Sequence, residues 1–500
     1  MTDSTLSGAI IRPSLLTRLL DWRRAWLQMD KNPDVIRFAG TVRGSVIIHA
    51  AFFAVLLLAG LDIGFGTAAI AIAGLIGCAI FPSKRALVIA ASTLVFLVIR
   101  PFHAFELAEI PPAVIGRLGL TGTNPKILAW GATALFMITA WIALYLQGRY
   151  RETLAAKRPL LSMVILFWFL VLIAVSGLLP ALPLAFLWTF LAAFASGFWF
   201  LAYALADQKA NDPTRNGIRL GLFHPFWEGP PLPTGKGAAY LKKFEAKDET
   251  SLAVTRLKAL KLVVWGVVLT GLYLALTKLI NGYAGLPTLH RAMELHAAGT
   301  PVPVYEAWAA LAVHYLLDIA FIAGWSHVVV AIVRMAGYAI PRNTVRPLSS
   351  RTLAEFWNRY YFYFKELLVD FFFFPAFLRY FKKRPKLRVA FATLCAASFG
   401  NVLFHFTWNL NLTLDYGLLG AMQHFESYAV YSLLLAGGLI MSQLRGRKPN
   451  PEDGFLRYEV LPRIGVGLFF CLIAVFNETP ELFTMHDRIA FFFSLFGVMR

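Results

Sequence analysis

Three polar residues recur at regular spacing in an otherwise apolar stretch between Phe399 and Trp408. Asn401, His405 and Asn409 stand four residues apart, so a helix places them along a single face. An ionisable side chain near the centre of a membrane span costs about 3 kcal/mol, and one that persists there is a functional candidate by default. Because an imidazole exchanges a proton near neutral pH, His405 is the first candidate for chemistry.

A second ionisable pair, His314 and Asp318, is also spaced four residues apart in an apolar segment. On a helix the carboxylate lies beside the imidazole and can fix its tautomer. A polar pair that merely satisfies its own hydrogen bonds between two helices explains the same spacing, so both interpretations stay open. His424 and Glu426 open a later span, where a place at the membrane interface favours a structural role.

The elements that must position these residues are membrane-spanning helices. The chain has 500 residues, 58% of them hydrophobic and 15% charged, whereas soluble proteins carry about 45–50% and about 25%. Only helices and closed barrels satisfy the backbone in lipid, and uniformly apolar runs indicate helices. The predicted fold is all-α, a polytopic transmembrane bundle of about eleven to twelve spans. The runs predict spans at residues 44–62, 66–82, 86–100, 127–147, 159–178, 181–205, 259–280, 308–334, 387–410, 425–443, 463–477 and 488–500.

The net charge of +19 comes from Lys and Arg residues that lie mainly in the short loops between apolar runs. This pattern reports topology rather than nucleic-acid binding, and it places the N-terminus in the cytoplasm. Within the N-terminal arm, Leu15 to Leu27 is either an amphipathic helix on the membrane surface or a solvated segment.

The three cysteines have no disulfide or zinc spacing, and we predict no metal site. The predicted regions are a basic arm over residues 1–43, N-terminal helices over 44–205, a cytoplasmic loop over 206–258 and C-terminal helices over 259–500.

Two segments depart from simple alternation of spans and loops. Basic residues flank the apolar stretch Phe362 to Phe377 on both sides, so the topology holds only if this stretch enters the membrane and returns. Such a re-entrant segment needs shelter from protein or a water-filled cavity, and an interfacial helix is an equal alternative. In the loop over residues 206–258, Lys236 follows a glycine as in a phosphate loop, but the glycine spacing excludes that motif. Prolines predict instead an ordered loop that docks on the bundle.

Four elements follow one another along the chain and share their order with a known family. They are Arg334 to Tyr338, Pro341 to Asn343, Thr352 to Tyr361, and a span that carries His405 followed by Trp408. This order resembles the membrane-bound O-acyltransferase (MBOAT) family, in its bacterial branch of alginate O-acetylases and teichoic-acid D-alanyl transferases. In that family the four counterparts are an Arg-x-x-Gly-(Phe/Tyr) turn, a Pro-x-Asn element, a Phe-Trp-x-Arg motif that ends in histidine, and a histidine span. A re-entrant stretch precedes that span in the family, and Phe362 to Pro375 corresponds to it here. The resemblance covers residues 318–438.

The resemblance implies an MBOAT-like core and an enzyme that transfers an acetyl or similar acyl group from a thioester to a hydroxyl of a cell-envelope glycan or lipid. It implies that His405 is the general base and that Asn401 and Tyr361 are the other catalytic residues. Tyr361 stands where the family has its first histidine, and Phe406 replaces the glycine that usually follows the second. The expected substrate-binding residues are Trp357, Arg359, Trp408, Asn409, His314 and Asp318.

The same resemblance implies no bound cofactor, because acyl-CoA or an acyl-carrier thioester arrives as the donor substrate. Expected partners are membrane lipids, the donor, the envelope glycan or lipid acceptor and other proteins of a polysaccharide-modifying complex. The implied location is a bacterial cytoplasmic (inner) membrane. Two alternatives stay open: an inactive relative that binds or passes a lipid or glycan, which Tyr361 favours, and a transporter in which His314 and Asp318 relay protons. A transporter predicts an inverted repeat, and the two halves have no convincing self-similarity.

Overall fold

The architecture is given by a computed structural model that describes residues 23–103, 105–227, 229, 232–445, 452, 454–477 and 483–498. Within these ranges the regular structure is helical, apart from one isolated β-bridge between Glu245 and Tyr338. The predicted all-α class is therefore confirmed. Residues 1–22, which hold half of the predicted basic arm and much of the segment Leu15 to Leu27, lie outside the described residues.

The first half of the chain folds into short connecting helices and long apolar ones. In chain order they are α1 (Pro33–Gly40), α2 (Val42–Ile63), α3 (Phe65–Ile80), α4 (Arg85–Ile99), α5 (Phe105–Ala108), α6 (Ile110–Arg117), α7 (Pro125–Arg149), α8 (Leu154–Lys157), α9 (Pro159–Val175), α10 (Ala181–Lys209), α11 (Asn216–Leu220) and α12 (Ala238–Lys243).

The second half contains the helices that carry the predicted site. They are α13 (Glu249–Thr277), α14 (Leu289–Ala297), α15 (Val304–Met335), α16 (Leu353–Tyr360), α17 (Phe362–Leu368), α18 (Phe374–Arg379), α19 (Pro385–Leu394), α20 (Asn401–Trp408), α21 (Leu410–His424), α22 (Glu426–Leu444), α23 (Leu461–Ala474) and α24 (Met485–Ser494). One turn of π-helix joins α17 to α18 at Val369–Phe373, and another joins α19 to α20 at Cys395–Gly400.

Eight helical stretches of the described chain are long and apolar enough to cross a membrane, which makes this a multi-pass membrane protein. Two shorter apolar helices, α3 and α9, have 16 and 17 residues. The last two predicted spans are only the 14-residue α23 and the 10-residue α24, whereas a crossing takes about 20 residues. The count of eleven to twelve spans therefore stays a prediction. The eight stretches are Val42–Gly60, Pro82–Ile99, Pro125–Arg149, Ala181–Lys209, Glu249–Tyr283, Val304–Met335, Pro385–Trp408 and Leu410–Leu444.

Two boundaries differ from the prediction because polar residues are part of helices. The helix predicted to start at residue 259 begins at Glu249, since Asp248 accepts a hydrogen bond from the Ser251 backbone N–H at 2.8 Å and forms a capping box. The stretch between the predicted spans 387–410 and 425–443 is the helix α21. Gly417, with a φ of +68°, breaks its regular geometry.

The predicted re-entrant stretch is a continuous helical segment, and it does not turn back within Phe362 to Phe377. The chain breaks instead at Tyr361, whose φ of −137° and ψ of 76° separate α16 from α17. We call the segment from α16 to α18, with this break at its apex, the hairpin; its α17 and α18 pack beside α19 and α20. Gly400 makes this packing possible, because a Cβ on it would lie 2.5 Å from the ring of Phe372.

The loop between α10 and α13 is packed against the helices. Phe226 is fully buried and lies against Gly74, where an added Cβ would approach its ring to 2.3 Å. His224 stacks between Phe96 and His103, with ring centroids 4.5 and 4.0 Å away. The imidazole of His103 is also hydrogen-bonded at 2.6 Å to the backbone oxygen of Phe223. This part of the loop is therefore anchored in the aromatic core.

A lysine anchors the other end of the same loop. Lys236 lies 2.7 Å from a carboxylate oxygen of Glu366 and 2.8 Å from one of Asp370, and Tyr203 donates to Asp370 at 3.1 Å. Burial alone lowers the pKa of Lys236, but the hydrogen bonds and charges of the two carboxylates outweigh it, so the pKa is raised. Because its ammonium is already paired with carboxylates, Lys236 fastens the loop to the hairpin rather than presenting a phosphate site.

Candidate functional site

His405 lies in the last turn of α20, immediately before a break in the helix. The π-helical turn before α20 and the non-helical Asn409 after it, with φ −82° and ψ 51°, bound this short helix. The side-chain amide of Asn409 donates to the backbone oxygen of His405 at 2.8 Å. Asn409 therefore satisfies the helix end, and its side chain bonds the backbone of His405 rather than the imidazole.

Aromatic rings surround the imidazole of His405. The ring centroids of Tyr428, Phe404, Phe364 and Trp408 lie 4.7, 5.1, 5.6 and 6.2 Å from it. The imidazole itself is half-buried and makes no hydrogen bond to any residue of the described ranges. Its nitrogens are therefore available to a ligand, and aromatic faces fix the plane of the ring.

Asn401 contacts this cluster through a tyrosine. The hydroxyl of Tyr428 donates to the Asn401 side-chain oxygen at 2.9 Å, and the Asn401 amide donates to the backbone oxygen of Ala397 at 3.3 Å. Asn401 is only 1% exposed. The geometry is consistent with a positioning role, one of the roles that the sequence left open for Asn401, since its side chain orients the ring that packs on His405.

Phe364 joins the hairpin to the cluster around His405. Its ring contacts Phe404 at 4.9 Å, Tyr361 at 5.8 Å and Trp357 at 6.3 Å, in addition to His405. Tyr361 and Trp357 were both predicted from sequence. The structure thus places these two residues one aromatic ring away from His405, at the apex of the hairpin.

Two other elements of the resemblance, the turn after α15 and the Pro-x-Asn element, hold this apex in place. The guanidinium of Arg334 donates twice to the backbone oxygen of Ile340, at 2.6 and 2.9 Å, which closes the turn after α15. Asn343 then accepts from the backbone N–H of Phe362 at 2.9 Å and, through its side chain, from that of Tyr363 at 3.0 Å. The turn and the Pro-x-Asn element therefore fix the position where the chain breaks beside His405.

Arg359 is held away from this cluster by structural contacts. It forms an ion pair with Glu355 and donates to the hydroxyl of Ser349, while its backbone oxygen accepts from Val345 at 2.8 Å. Thr352 caps the same helix by accepting from the Glu355 N–H at 3.1 Å. The predicted substrate contact of Arg359 finds no support in these contacts, which stabilise α16.

His314 and Asp318 lie together, as their spacing predicts, on the wall of a separate cavity of about 340 Å³. The hydroxyl of Tyr360 donates to Asp318 at 2.9 Å. On the other side, the ring of Tyr431 lies 5.4 Å from that of Tyr428, which packs on His405. A row of tyrosines therefore lies between the cavity and the histidine, but the two predicted residues do not join the His405 cluster.

One unpaired donor lies inside the cluster. The indole N–H of Trp408 is buried and has no hydrogen-bond partner in the described part of the chain. A buried polar group without a partner costs about 1–3 kcal/mol, so this donor is available to an acceptor that a substrate brings. This observation supports the predicted role of Trp408 in substrate binding.

Sequence reasoning missed Tyr428 and Phe364, the two rings that link His405 to the rest of the site. Tyr428 is one of several aromatic residues in α22, and Phe364 belongs to a run of phenylalanines and tyrosines with no distinguishing pattern. Their roles depend on which helices pack together. A polar residue on an apolar helix face gives a signal in one sequence, whereas one aromatic residue among many gives none.

No model of a known protein family matches the chain, and comparison with curated proteins likewise finds no match. Among the described residues there is also no group of three His, Cys, Asp or Glu side chains that could hold a metal ion. The geometry around His405 and the order of the sequence elements that build it are therefore the features that bear on function.

Proposed function

We propose that this protein is a membrane-bound O-acyltransferase that uses His405 as its general base. The observation that carries the proposal is the imidazole itself, which is held by aromatic rings but makes no hydrogen bond within the described chain. A general base must keep a nitrogen free for the proton that it removes. Both ring nitrogens of the buried His224 also lack a partner in the described residues, so His405 is distinguished further by its place among the ordered elements of the family resemblance.

The proposed reaction transfers an acyl group from a thioester to a hydroxyl. His405 takes the proton of the acceptor hydroxyl while that oxygen attacks the thioester carbonyl carbon. The tetrahedral intermediate then collapses, the C–S bond breaks, and the imidazolium returns the proton to the leaving thiolate. The products are an oxygen ester and a free thiol, and no cofactor is consumed.

Two side chains of the cluster are suited to hold the substrates. The unpaired indole N–H of Trp408 supplies a donor for the carbonyl oxygen as it gains negative charge, and a well-placed donor of this kind contributes about 3 kcal/mol. Tyr361 stands at the hairpin apex, and its hydroxyl can both donate and accept a hydrogen bond. It takes the position of the family's first histidine.

The hairpin supports an MBOAT-like arrangement of this site in the membrane. We propose that α16 descends from a basic segment at Arg346 and Arg351, that the chain turns at Tyr361, and that α17 and α18 return to the basic segment Lys382 to Arg384. The two ends then share the cytoplasmic side of a bacterial inner membrane. A thioester donor reaches the site from that side.

The proposal is tested by comparing ester-linked acyl groups on envelope glycans and lipids from cells that carry the intact chain, a deletion and His405→Ala. An ester that disappears in both mutants identifies the acceptor and supports the general base. His424→Ala is the matched control, because its ring packs on Tyr416 at 4.1 Å, outside the cluster. An ester that survives in His405→Ala but not in the deletion contradicts the role of His405.

The cavity beside Asp318 favours a second candidate function, a transporter whose proton or ion site includes His314 and Asp318. Its support is the 340 Å³ space that both side chains line and the bond from Tyr360 to Asp318. The two candidates predict different sensitivities. Asp318→Asn stops a proton-coupled transporter, while His405→Ala leaves it active.

A further inference from the structure

A large cavity lies at one end of the N-terminal helices, apart from the His405 cluster. Its volume is about 1120 Å³, and it is bounded by the start of α2, the end of α3, the start of α4 and the start of α13, with the segment from Glu245 to Glu249 across its mouth. Since four helices end there, the cavity sits at a membrane face. Two arginines, Arg85 and Arg256, line it.

Both arginines are buried and lack sufficient acceptors. They are 5% and 8% exposed, and the Nε–H of each has no partner in the described ranges. Arg256 donates from one terminal nitrogen to the hydroxyl of Ser45 at 3.1 Å, and Arg85 has only two contacts at 3.5 Å, to the side chain of Glu245 and the backbone oxygen of Ala246. A guanidinium has five N–H donors, so most of these donors need acceptors from elsewhere.

The acidic residues of the cavity do not meet this need. Glu245 is the carboxylate near Arg85, and its own side chain is 38% exposed. Asp248 caps α13 through Ser251, and no ion pair of the described chain joins Arg256 to a carboxylate. Glu249 and Lys247 also line the mouth, and their opposite charges offset one another. The cationic groups therefore lie deep and the acidic groups lie at the mouth.

The cavity wall on the α2 and α3 side is apolar and exposed. Val42, Val46, Ile76 and Ile80 are 84%, 63%, 44% and 63% exposed. In a multi-pass protein, exposed apolar side chains of this kind face lipid. An occupant that enters from the bilayer would thus place hydrocarbon along this wall and its polar end at the arginines.

We propose that this cavity binds an anionic phospholipid, whose phosphate accepts hydrogen bonds from Arg85 and Arg256 while its acyl chains lie along α2 and α3. Guanidinium groups bind phosphate in a bidentate manner and suit buried ion pairs, and basic pockets between membrane helices bind anionic headgroups. The apolar wall favours a lipid over free phosphate. This inference does not depend on the proposed acyltransferase activity.

The lipid site also touches the turn that closes α15. An added Cβ on Gly337 would lie 2.9 Å from the guanidinium carbon of Arg85, and the backbone oxygen of Gly337 accepts from Ala246 at 2.9 Å. A phosphate bound to Arg85 therefore holds this side chain against the turn from Arg334 to Tyr338. Bound lipid is expected to stabilise the whole protein, because it binds the folded state.

The experiment measures the thermal unfolding of the purified, delipidated full chain in detergent. Dioleoyl phosphatidylglycerol is added in one series, dioleoyl phosphatidylcholine in a second and inorganic phosphate in a third. We expect phosphatidylglycerol to raise the unfolding temperature by several degrees, and the other two to have little effect. In Arg256→Gln the apparent affinity for phosphatidylglycerol should fall by about tenfold or more.

A control variant and the unfolding temperature without lipid separate a loss of lipid binding from a general loss of stability. Lys258→Gln removes an exposed charge two residues further along the same helix and should bind phosphatidylglycerol as the wild type does. Without lipid, Arg256→Gln should unfold at the same temperature as the wild type or higher, because it removes repulsion between two buried cations. Loss of lipid response with retained stability separates binding from misfolding.

Three outcomes overturn the inference. Equal stabilisation by phosphatidylcholine shows an apolar groove without headgroup selection, full stabilisation by inorganic phosphate shows a free-anion site, and an unchanged response in Arg256→Gln shows that the lipid binds elsewhere. If Arg256→Gln does not fold, native mass spectrometry of the wild type decides instead. Retained lipid that phosphatidylglycerol displaces and phosphatidylcholine does not supports the site, and the reverse contradicts it.

Discussion

Two regions of this protein bury histidines among aromatic rings, and they use them differently. His103 lies between Phe200 and His224, and its imidazole is hydrogen-bonded to the backbone oxygen of Phe223. His405 has a similar aromatic surround but makes no hydrogen bond within the described chain. Burial of a histidine among aromatic rings therefore does not by itself indicate a functional site. A missing hydrogen bond is not sufficient either, since both ring nitrogens of His224 also lack a partner in the described residues; His405 differs in its place among the ordered elements of the family resemblance.

The surroundings of each histidine support this distinction. His103 joins the loop between α10 and α13 to the helix core, and Lys236 fastens the same loop to the hairpin through Glu366 and Asp370. The region of His405 contains the buried, unpaired indole N–H of Trp408. Substitutions in the first region should change stability, and substitutions in the second should change activity.

The largest effect is expected for His405→Ala. Loss of the general base should lower the rate of acyl transfer by roughly 10²–10⁴, and any loss of stability should come from the packing of the removed ring, since the imidazole makes no hydrogen bond within the described chain. The two readouts are ester formation per folded molecule and thermal unfolding. Ester formation per folded molecule equal to that of the wild type would contradict the role of His405 as a base.

The next largest effect is expected for Lys236→Met, which removes the cation that bridges Glu366 and Asp370 and leaves Glu366 paired only with Lys365. Breaking a partly buried ion pair of this kind costs about 3 kcal/mol, and thermal unfolding measures it. Because the pKa of Lys236 is raised on folding, its contribution is complete below its unfolded pKa of about 10.4 and is lost only as the pH rises through the folded value. The difference from the wild type should therefore persist at neutral pH. Lys242→Met, at an exposed position, is the control and should change little.

A smaller loss of stability is expected for His103→Leu. The leucine keeps most of the apolar contact but leaves the backbone oxygen of Phe223 without its partner, which costs about 2 kcal/mol. Denaturant or thermal unfolding shows the loss, and activity per folded molecule should be retained. His290→Leu removes an exposed pair with Glu294 and should have almost no effect. Full stability in His103→Leu would contradict the assignment of this residue as an anchor.

The smallest effect is expected for Tyr428→Phe. This change removes the hydrogen bond to Asn401 and keeps the ring that packs on His405. Activity should fall by roughly tenfold or less, in line with a loss of about 1 kcal/mol in positioning. Tyr431→Phe, which keeps the bond to Asn401, serves as the comparison. Equal activity of both variants would remove the positioning role of Asn401.

The sequence predicted the helical membrane class well because long apolar runs leave few alternatives. It misplaced the start of α13, since charged residues before residue 259 extend the helix beyond its apolar part. It also placed the turn of the hairpin inside Phe362 to Phe377, whereas the break is at Tyr361. Hydropathy detects how much apolar surface a segment has, and it does not detect where a backbone bends.

For the site as well, the sequence predicted candidate residues better than it predicted their contacts. The polar stripe identified His405 from spacing alone, and the motif order placed Tyr361 and Trp357 near it. The contacts of Arg359 with Glu355 and Ser349 were not foreseen, because an arginine in a motif gives the same signal whether it binds a substrate or its own helix. The substrate-binding role of Arg359 therefore stays a prediction.

One comparison tests directly whether His405 acts as a base rather than as an anchor. Ester-linked acyl groups are quantified in envelopes of cells that carry the wild type, His405→Ala or His103→Leu, and each value is divided by the amount of folded chain in the membrane. If His405 is the base, His405→Ala loses the ester although the amount of folded chain is normal. His103→Leu lowers the amount of folded chain and keeps the ester content per chain. An ester retained in His405→Ala at a normal amount of folded chain would contradict the role of His405 as the base.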